Sequence, residues 1–394
     1  MSESAGKIPL VAGLQGVPAA ESKICFIDGN KGQLLYRGYR IEELAERSTF
    51  EETAWLLLKG ELPSASELKS WQEELWQRRR LKYKVVDILK LLPESGHPME
   101  ALMTGIAALG MFYPGGKNDA ATLLGPVSVH DPGERWSATV RILAKVPSLV
   151  AAFHRLREGN LNFIPRDDLS MAANFLFMLT GKEPSPIASR VFDACLVLHA
   201  EHSMNASTFS ARVTASTLSD PFSVMAAAVG TLRGPLHGGA NEAGIEMLRE
   251  IGDPRNAAAY LDKKIAEKKK IVGFGHREYK VKDPRAGVLQ KLAEKLFETH
   301  GGTKLYDTAR AVEEYLAPRL GPKGIFPNVD FYSGIVYDRL GIPRDLFIPI
   351  FAMARTAGWL AHFWEQVEHN RIFRPSQIWT GPAPRGYVAI EKRS

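Results

Sequence analysis

Cysteine is scarce: only Cys25 and Cys195 occur among 394 residues. Two thiols build no disulfide framework, and they fit a reducing cytoplasm. No apolar run of about 18 residues, the length that spans a bilayer, is present. The closest approach, residues 347–363, is flanked or interrupted by Arg344, Asp345, Arg355 and His362, so no membrane partner is expected. The first 13 residues lack a basic segment followed by an apolar one, so no secretory signal is expected. Charge is nearly balanced, with 50 Lys+Arg against 44 Asp+Glu and a net +6. There is no arginine-rich tail and no recognisable nucleic-acid module, and the mild excess suits small anionic substrates. Strands do not alternate with helices, which argues against a parallel doubly wound sheet. No repeat of fixed period occurs.

What is present is helical pattern. Residues 23–36 read as a short N-terminal β-hairpin around Gly29-Asn30-Lys31-Gly32. Capping boxes at Ser48-Thr49-Phe50-Glu51 and Ser64-Ala65-Ser66-Glu67 open helices to Gly60 and to about Arg80. An Ala-, Met- and Leu-rich helix is expected over 97–110 and a loop over 113–135. Asp167-Asp168 caps a helix to Gly181, Ser185-Pro186 starts one to about His202, and Asp220-Pro221 starts one to about Leu232. A charged helix over 256–270, one from Asp283-Pro284 to about His300, and a long one over 344–369 follow. The chain is mainly α and long enough for two domains. The basic segment 235–324 differs from the apolar helices around it. It is read as a smaller domain inserted into a large helical one formed by residues 1–234 and 325–394.

Several stretches carry chemistry. Gly234-Pro235-Leu236-His237-Gly238-Gly239 sets an imidazole between a proline turn and two glycines, ahead of a helix pattern. Glycines permit close approach of a ligand, and a helix start disfavours protonation; the same residues alone equally fit a surface loop. His199-Ala200-Glu201-His202 puts two imidazoles three apart, hence on one helix face, as a metal pair would be, although no Cys or second pair accompanies them. Gly273-Phe274-Gly275-His276-Arg277, with Lys280, Lys282 and Asp283-Pro284-Arg285, holds the parts of a phosphate or carboxylate site, or of a solvated basic loop. Asp330, beside Phe331 and Tyr332, is either a helix N-cap or a base raised by apolar neighbours. Arg355 lies on an otherwise apolar helix and needs an anion: a structural carboxylate such as Glu365, or a bound one.

In order and spacing, the segments 198–209, 234–242, 273–277, 282–285, 327–334, 354–355 and 374–375, with Tyr36-Arg37-Gly38-Tyr39, closely resemble the citrate synthase family. The likeness spans nearly the whole chain. It implies the two-domain helical fold of that family and a homodimer whose active sites lie in interdomain clefts shared between subunits. It also implies an acyltransferase that condenses acetyl-CoA with oxaloacetate and water to citrate and CoA through an enol. A 2-methylcitrate synthase using propanoyl-CoA is the near alternative, since one methylene is worth only about 1–3 kcal/mol in an apolar pocket. A non-enzymatic metal-binding helical protein using His199 and His202 is the distant one. The resemblance gives His237, His276 and Asp330 to catalysis. It gives His202, Arg285, Arg355 and Arg374 to oxaloacetate or citrate, with Arg374 reaching in from the other subunit. Gly273, Phe274 and Gly275 are implied to wrap the CoA adenine, and Arg277, Lys280 and Lys282 are candidates for its phosphates. No metal and no cofactor beyond the CoA co-substrate is implied. Met103 stands where many relatives carry Arg, and no catalytic consequence is expected. The chain is also shorter than the N-terminally extended, NADH-inhibited bacterial type, so that regulation is not expected.

Overall fold

The computed structural model describes residues 10–115 and 127–393. Its one sheet among the described residues is the expected hairpin plus a short third strand: β1 (Cys25–Asp28), β2 (Gln33–Tyr36) and β3 (Tyr39–Arg40), all antiparallel. Cys25 faces Tyr36 and Asp28 faces Gln33. The Asp28 carboxylate accepts the Asn30 and Lys31 N–H groups and so closes the turn.

Helices α1 (Ile41–Arg47), α2 (Phe50–Lys59), α3 (Ala65–Arg78) and α4 (Tyr83–Lys90) follow the sheet. The Ser64–Glu67 capping box forms as read. The other shifts by one residue. Ser48 closes α1 and turns its hydroxyl to Thr53, so Thr49 caps α2 by accepting from Glu52 N–H. Next come α5 (Pro98–Phe112), α6 (Pro132–Arg157) and α7 (Met171–Thr180). Asp131-Pro132 starts α6 inside the expected loop, of which residues 116–126 lie outside the described residues. Ser170, not Asp167 or Asp168, caps α7, because those carboxylates pair with Arg80 and Arg166.

The apolar body continues with α8 (Pro186–His199), α9 (Ala206–Ser216) and α10 (Pro221–Leu232). α8 stops three residues before His202. The Tyr36 hydroxyl takes both backbone groups of Glu201 and pulls that turn out of the helix. After α11 (Ala240–Ile251) and α12 (Ala257–Ala266) come α13 (Pro284–His300), α14 (Lys304–Leu320), which sequence pattern missed, α15 (Val329–Arg339) and α16 (Phe347–Glu368). α16 is the one described helix long and apolar enough to cross a membrane, and it is enclosed by α2, α6, α8, α9 and α10. α15 packs chiefly on α11 and α13 within the segment that also holds α12 and α14; α13 and α15 also touch α8, and α16 then runs through the apolar helices. Trp55, Trp71, Trp136 and Trp364, the last on α16, meet with ring centroids 5.2–6.0 Å apart. Lys59 Nζ lies 3.8 Å above the Trp136 ring.

Candidate active site

His237 sits in a tight turn closed by its own N–H on Gly234 O at 2.9 Å. Gly238 is needed there: a Cβ would meet Leu232 O at 2.4 Å. The imidazole faces the first turn of α9. The backbone N–H of Ser207 points at His237 Nε2 at 3.3 Å, and the Ser207 hydroxyl lies 2.8 Å from the same atom. A backbone N–H only donates, so Nε2 accepts, the ring proton is on Nδ1, and the imidazole is neutral. Burial, with Arg355 adding to it, lowers the pKa to about 4. The helix start that faces the ring is therefore α9, not the α11 that follows His237 in sequence.

His276 reaches the same state by a different scaffold. Gly273 and Gly275 have φ of 81° and 86°, and they bend the loop onto the strand-like segment before α15. Gly275 N–H donates to Phe326 O at 2.8 Å, and Asn328 N–H to Gly273 O at 2.9 Å. A Cβ on Gly273 would come within 2.8 Å of Phe331. Beyond that bend, His276 Nδ1 accepts the N–H groups of Glu278 at 3.0 Å and Tyr279 at 3.3 Å. Nε2 therefore carries the proton. Burial and then Arg285 lower the pKa to about 4. The N-terminal hairpin braces this loop: Lys280 N–H donates to Gly29 O at 2.9 Å, and a Cβ on Gly29 would lie 2.0 Å from Glu278 O. The His276 ring is 5.1 Å from that of His202, whose Nε2 is 3.2 Å from the Tyr279 hydroxyl. Burial, then Arg285, holds His202 well below the usual imidazole range.

Asp330 is not the cap of α15. The Asn328 side chain accepts the N–H groups of Asp330 and Phe331, which frees the aspartate carboxylate. Burial pushes that carboxyl up to about 6, against the lowering pull of Arg285. Arg285 itself is paired through Nε and Nη2 with Asp283, at 3.0 and 2.8 Å, and Nη1 has no partner among the described residues. Arg355 is 1 % exposed, yet its guanidinium has no carboxylate within ion-pair distance among the described residues. Its Nε donates to His199 O at 2.8 Å, and its face lies 4.7 Å from the Phe351 ring. Glu365, the structural partner considered from sequence, is taken by Arg212 at 2.7 Å. A buried arginine left with amines unpaired is built to receive an anion.

The remaining expectations divide. Phe274 is turned into the core against Phe331, so its side chain serves packing. Lys282 is held by Glu313 and Gln290 at 2.6 and 3.0 Å, so it is not a free phosphate ligand. Arg277 and Lys280 are exposed, with Lys280 Nζ on Arg277 O. Between the His237 turn and the segment leading to the 273–275 loop lies a cavity of about 440 Å³ bordered by Gly239, Tyr260, Lys270, Val272 and two ion pairs, Lys264–Glu250 and Arg344–Glu246. Arg374 is exposed and, among the described residues, bonds only the adjacent Pro375 O, apart from the other groups. His199 and His202 do not share a helix face. His199 donates Nδ1–H to Cys195 O and packs its ring on Phe351, while His202 lies beyond the helix end. Among the described residues, no group of three or more His, Cys, Asp or Glu side chains is placed to hold a metal ion. Tyr36, Ser207, Tyr279 and Gly29 lie in stretches that the sequence singles out, Ser207 in a polar helix end suited to an anion, but their contacts link distant segments and were not foreseen.

The family model for the citrate synthase C-terminal domain matches residues 13–376. A citrate synthase of Synechocystis sp. is 55% identical over 97% of this chain and 93% of its own length. One of Acidithiobacillus ferridurans is 49% identical over 97% and 98%. A 2-methylcitrate synthase of Shewanella oneidensis stands lower, at 39% identity over 97% and 98%. Among solved structures, citrate synthase from Thermoplasma acidophilum in ternary complex with carboxymethyl coenzyme A and oxaloacetate superposes with a TM-score of 0.88 at 32% identity, covering 98% of this chain and 100% of that one.

Proposed function

From the premise that this chain belongs to the citrate synthase family, we propose how its residues divide the work. The enzyme is an acyltransferase that condenses acetyl-CoA with oxaloacetate and water to citrate and CoA, the entry step of the tricarboxylic acid cycle. The observation that carries the assignment is that His237 and His276 each have one ring nitrogen occupied by backbone N–H, which leaves each a neutral donor on the other.

The acetyl methyl proton is a weak acid, and a carboxylate in water removes it too slowly. Asp330 takes it from a desolvated position while His237 Nδ1–H donates to the thioester oxygen, where charge accumulates. The enol carbon then attacks the ketone carbon of oxaloacetate. His276 Nε2–H meets the ketone oxygen as it becomes an alkoxide and passes it a proton, and the methyl proton held by Asp330 makes good that loss, so the condensation has no net proton change. Water hydrolyses the resulting thioester and releases CoA. Arg355, the open Nη1 of Arg285, and His202 hold the two oxaloacetate carboxylates, and Arg374 of the partner subunit completes the set; paired hydrogen bonds fix which ketone face is attacked. Neutral imidazoles suit this site, because cationic ones would hold the developing anion too tightly to pass it on.

The body of α11–α15 carries His276 and Asp330, and we assign it the closing motion that excludes water. α15 moves with it, which extends the mobile part beyond residue 324. The cavity bordered by Lys270, which no carboxylate pairs among the described residues, is assigned to the CoA nucleotide, and the exposed Arg277 and Lys280 of the following loop are proposed for its phosphates. Homodimerisation is supported by exposed apolar side chains on α5, Met103 and Met111, and on the extended C-terminal tail, Ile372, Ile378, Trp379 and Tyr387. The cytoplasm is the proposed setting, in line with the free thiols of Cys25 and Cys195. No cofactor or metal enters the proposed steps.

The test is release of free CoA thiol from the purified protein with oxaloacetate, comparing acetyl-CoA with propanoyl-CoA. A clear kcat/KM preference for acetyl-CoA is expected. A preference for propanoyl-CoA reverses the product assignment to 2-methylcitrate.

A further inference from the structure

A chain of hydrogen-bonded side chains, buried as far as Gln366 and exposed at Asn370, leaves the oxaloacetate region and ends at the root of the C-terminal tail. The Glu201 carboxylate, between His199 and His202, receives His362 Nε2 at 3.0 Å. His362 Nδ1 lies 3.2 Å from Arg212 Nη1. Arg212 Nε donates to Gln366 Oε1 at 3.1 Å. Gln366 Nε2 donates to Asn370 Oδ1 at 3.2 Å and toward Arg371 O at 3.4 Å. Asn370 Nδ2 donates to Ser216 O at 3.0 Å. Phe373 N–H, the residue before Arg374, donates to Ser216 Oγ at 3.2 Å, and the Phe373 ring meets Phe209 edge-on at 5.6 Å.

The polarity of this chain is fixed at both ends. Arginine only donates, so Gln366 must present its oxygen to Arg212 and its NH₂ to Asn370. A backbone carbonyl only accepts, so Asn370 must turn its NH₂ to Ser216. Both amides therefore have one satisfactory orientation. Arg212, Gln366 and Ser216 are 4, 5 and 2 % exposed, so losing a partner at Gln366 or Ser216 leaves a buried polar group to be satisfied elsewhere, while Arg212 keeps its ion pair with Glu365. Beyond Phe373 the tail has little regular structure, and among the described residues its hydrogen bonds are all internal to it.

We propose that Ser216, Asn370 and Gln366 are positioning residues for Arg374: they fix the direction in which the tail departs, and with it the delivery of Arg374 to the oxaloacetate of the partner subunit. The proposal rests on the reading of Arg374 given above. α9 is the common beam. Its first turn fixes the tautomer of His237 and its last turn holds the tail, so one helix serves a site in each subunit.

The test is a double-mutant cycle in the full-length enzyme. Ser216→Ala and Asn370→Ala each remove one link. Each is expected to raise the oxaloacetate KM several-fold, with the acetyl-CoA KM and kcat little changed. In an Arg374→Ala background the same substitutions are expected to leave the oxaloacetate KM where Arg374→Ala alone puts it. Equal fold-changes in both backgrounds overturn the proposal and leave the role of Arg374 intact. An unchanged KM in both single variants also overturns it. An unchanged oxaloacetate KM in Arg374→Ala itself removes the underlying reading, and the proposal with it.

Discussion

The two imidazoles at the cleft meet one electronic requirement by two kinds of support. His237 borrows its N–H donor from the start of α9, a helix packed between α10 and α16 in the apolar body. His276 takes its donors from its own loop two and three residues on, and that loop leans on the hairpin at Gly29. A neutral ring is thus obtained once from a rigid remote element and once from a local turn. The lesson is that the charge state of a catalytic histidine follows from which nitrogen meets a donor-only group, whatever fold supplies it. The supports differ in what disturbs them. The first yields only when the helical body does, and the second yields to any change at the hairpin tip.

The largest effect comes from removing the group that both supports serve. Asp330→Ala is expected to lower kcat by about 10³-fold with the fold retained, within the span usual for a general base. The wild-type kcat/KM should fall as pH drops through about 6, since the base must be ionised, with a single-proton slope. Protonation of the imidazoles enters only near pH 4. A pH–rate profile flat down to pH 5 removes Asp330 as the base.

Next in size are the imidazoles themselves. His237→Ala and His276→Ala should each cost about 10²–10³ in kcat, as loss of one preorganised donor does. They should separate by step. With a 2-hydroxy diacid in the oxaloacetate subsite, exchange of the acetyl methyl protons in D₂O should be lost in His237→Ala and persist in His276→Ala. Equal loss in both would merge two roles held apart here.

A smaller effect isolates the local support. Gly29→Ala places a Cβ against Glu278 O, and an overpacked contact of this kind costs about 1–3 kcal/mol. A drop in kcat of roughly tenfold is expected for that range, with unchanged methyl exchange. Loss of exchange as well would mean that the hairpin supports the whole cleft. The smallest expected change is Tyr279→Phe. It deletes one neutral hydrogen bond to His202 and should raise the oxaloacetate KM about three-fold.

Much of this was legible in the sequence because the key groups lie in short dense motifs. His237 and Asp330 stood out for their glycines, proline and aromatics, and the buried Arg355 for its apolar neighbours. The hairpin and most helix starts followed from turn residues and caps. The misreadings have one cause, competition between nearby polar groups. Ser48 turned to Thr53 and left the cap to Thr49, and Asp167 and Asp168 were taken by arginines. Long-range partners were invisible: nothing near Gly29 announces Glu278, and nothing near His237 announces Ser207. Arg285 was read as a ligand without its own Asp283, two residues away, because spacing alone does not reveal that the two side chains fold back on each other.

The tryptophans offer an optical consequence. Four of the seven, Trp364 of α16 among them, gather in one cluster, close enough for their excited states to couple, with Lys59 over one face as a charged neighbour. Trp359 lies apart from them, its indole N–H on the Ser207 hydroxyl that touches His237. Near-ultraviolet circular dichroism should therefore be dominated by the cluster and follow melting of the apolar helices. The emission of Trp359 senses the immediate surroundings of His237. Two colours of signal from one residue type would report separately on scaffold and cleft without any added dye.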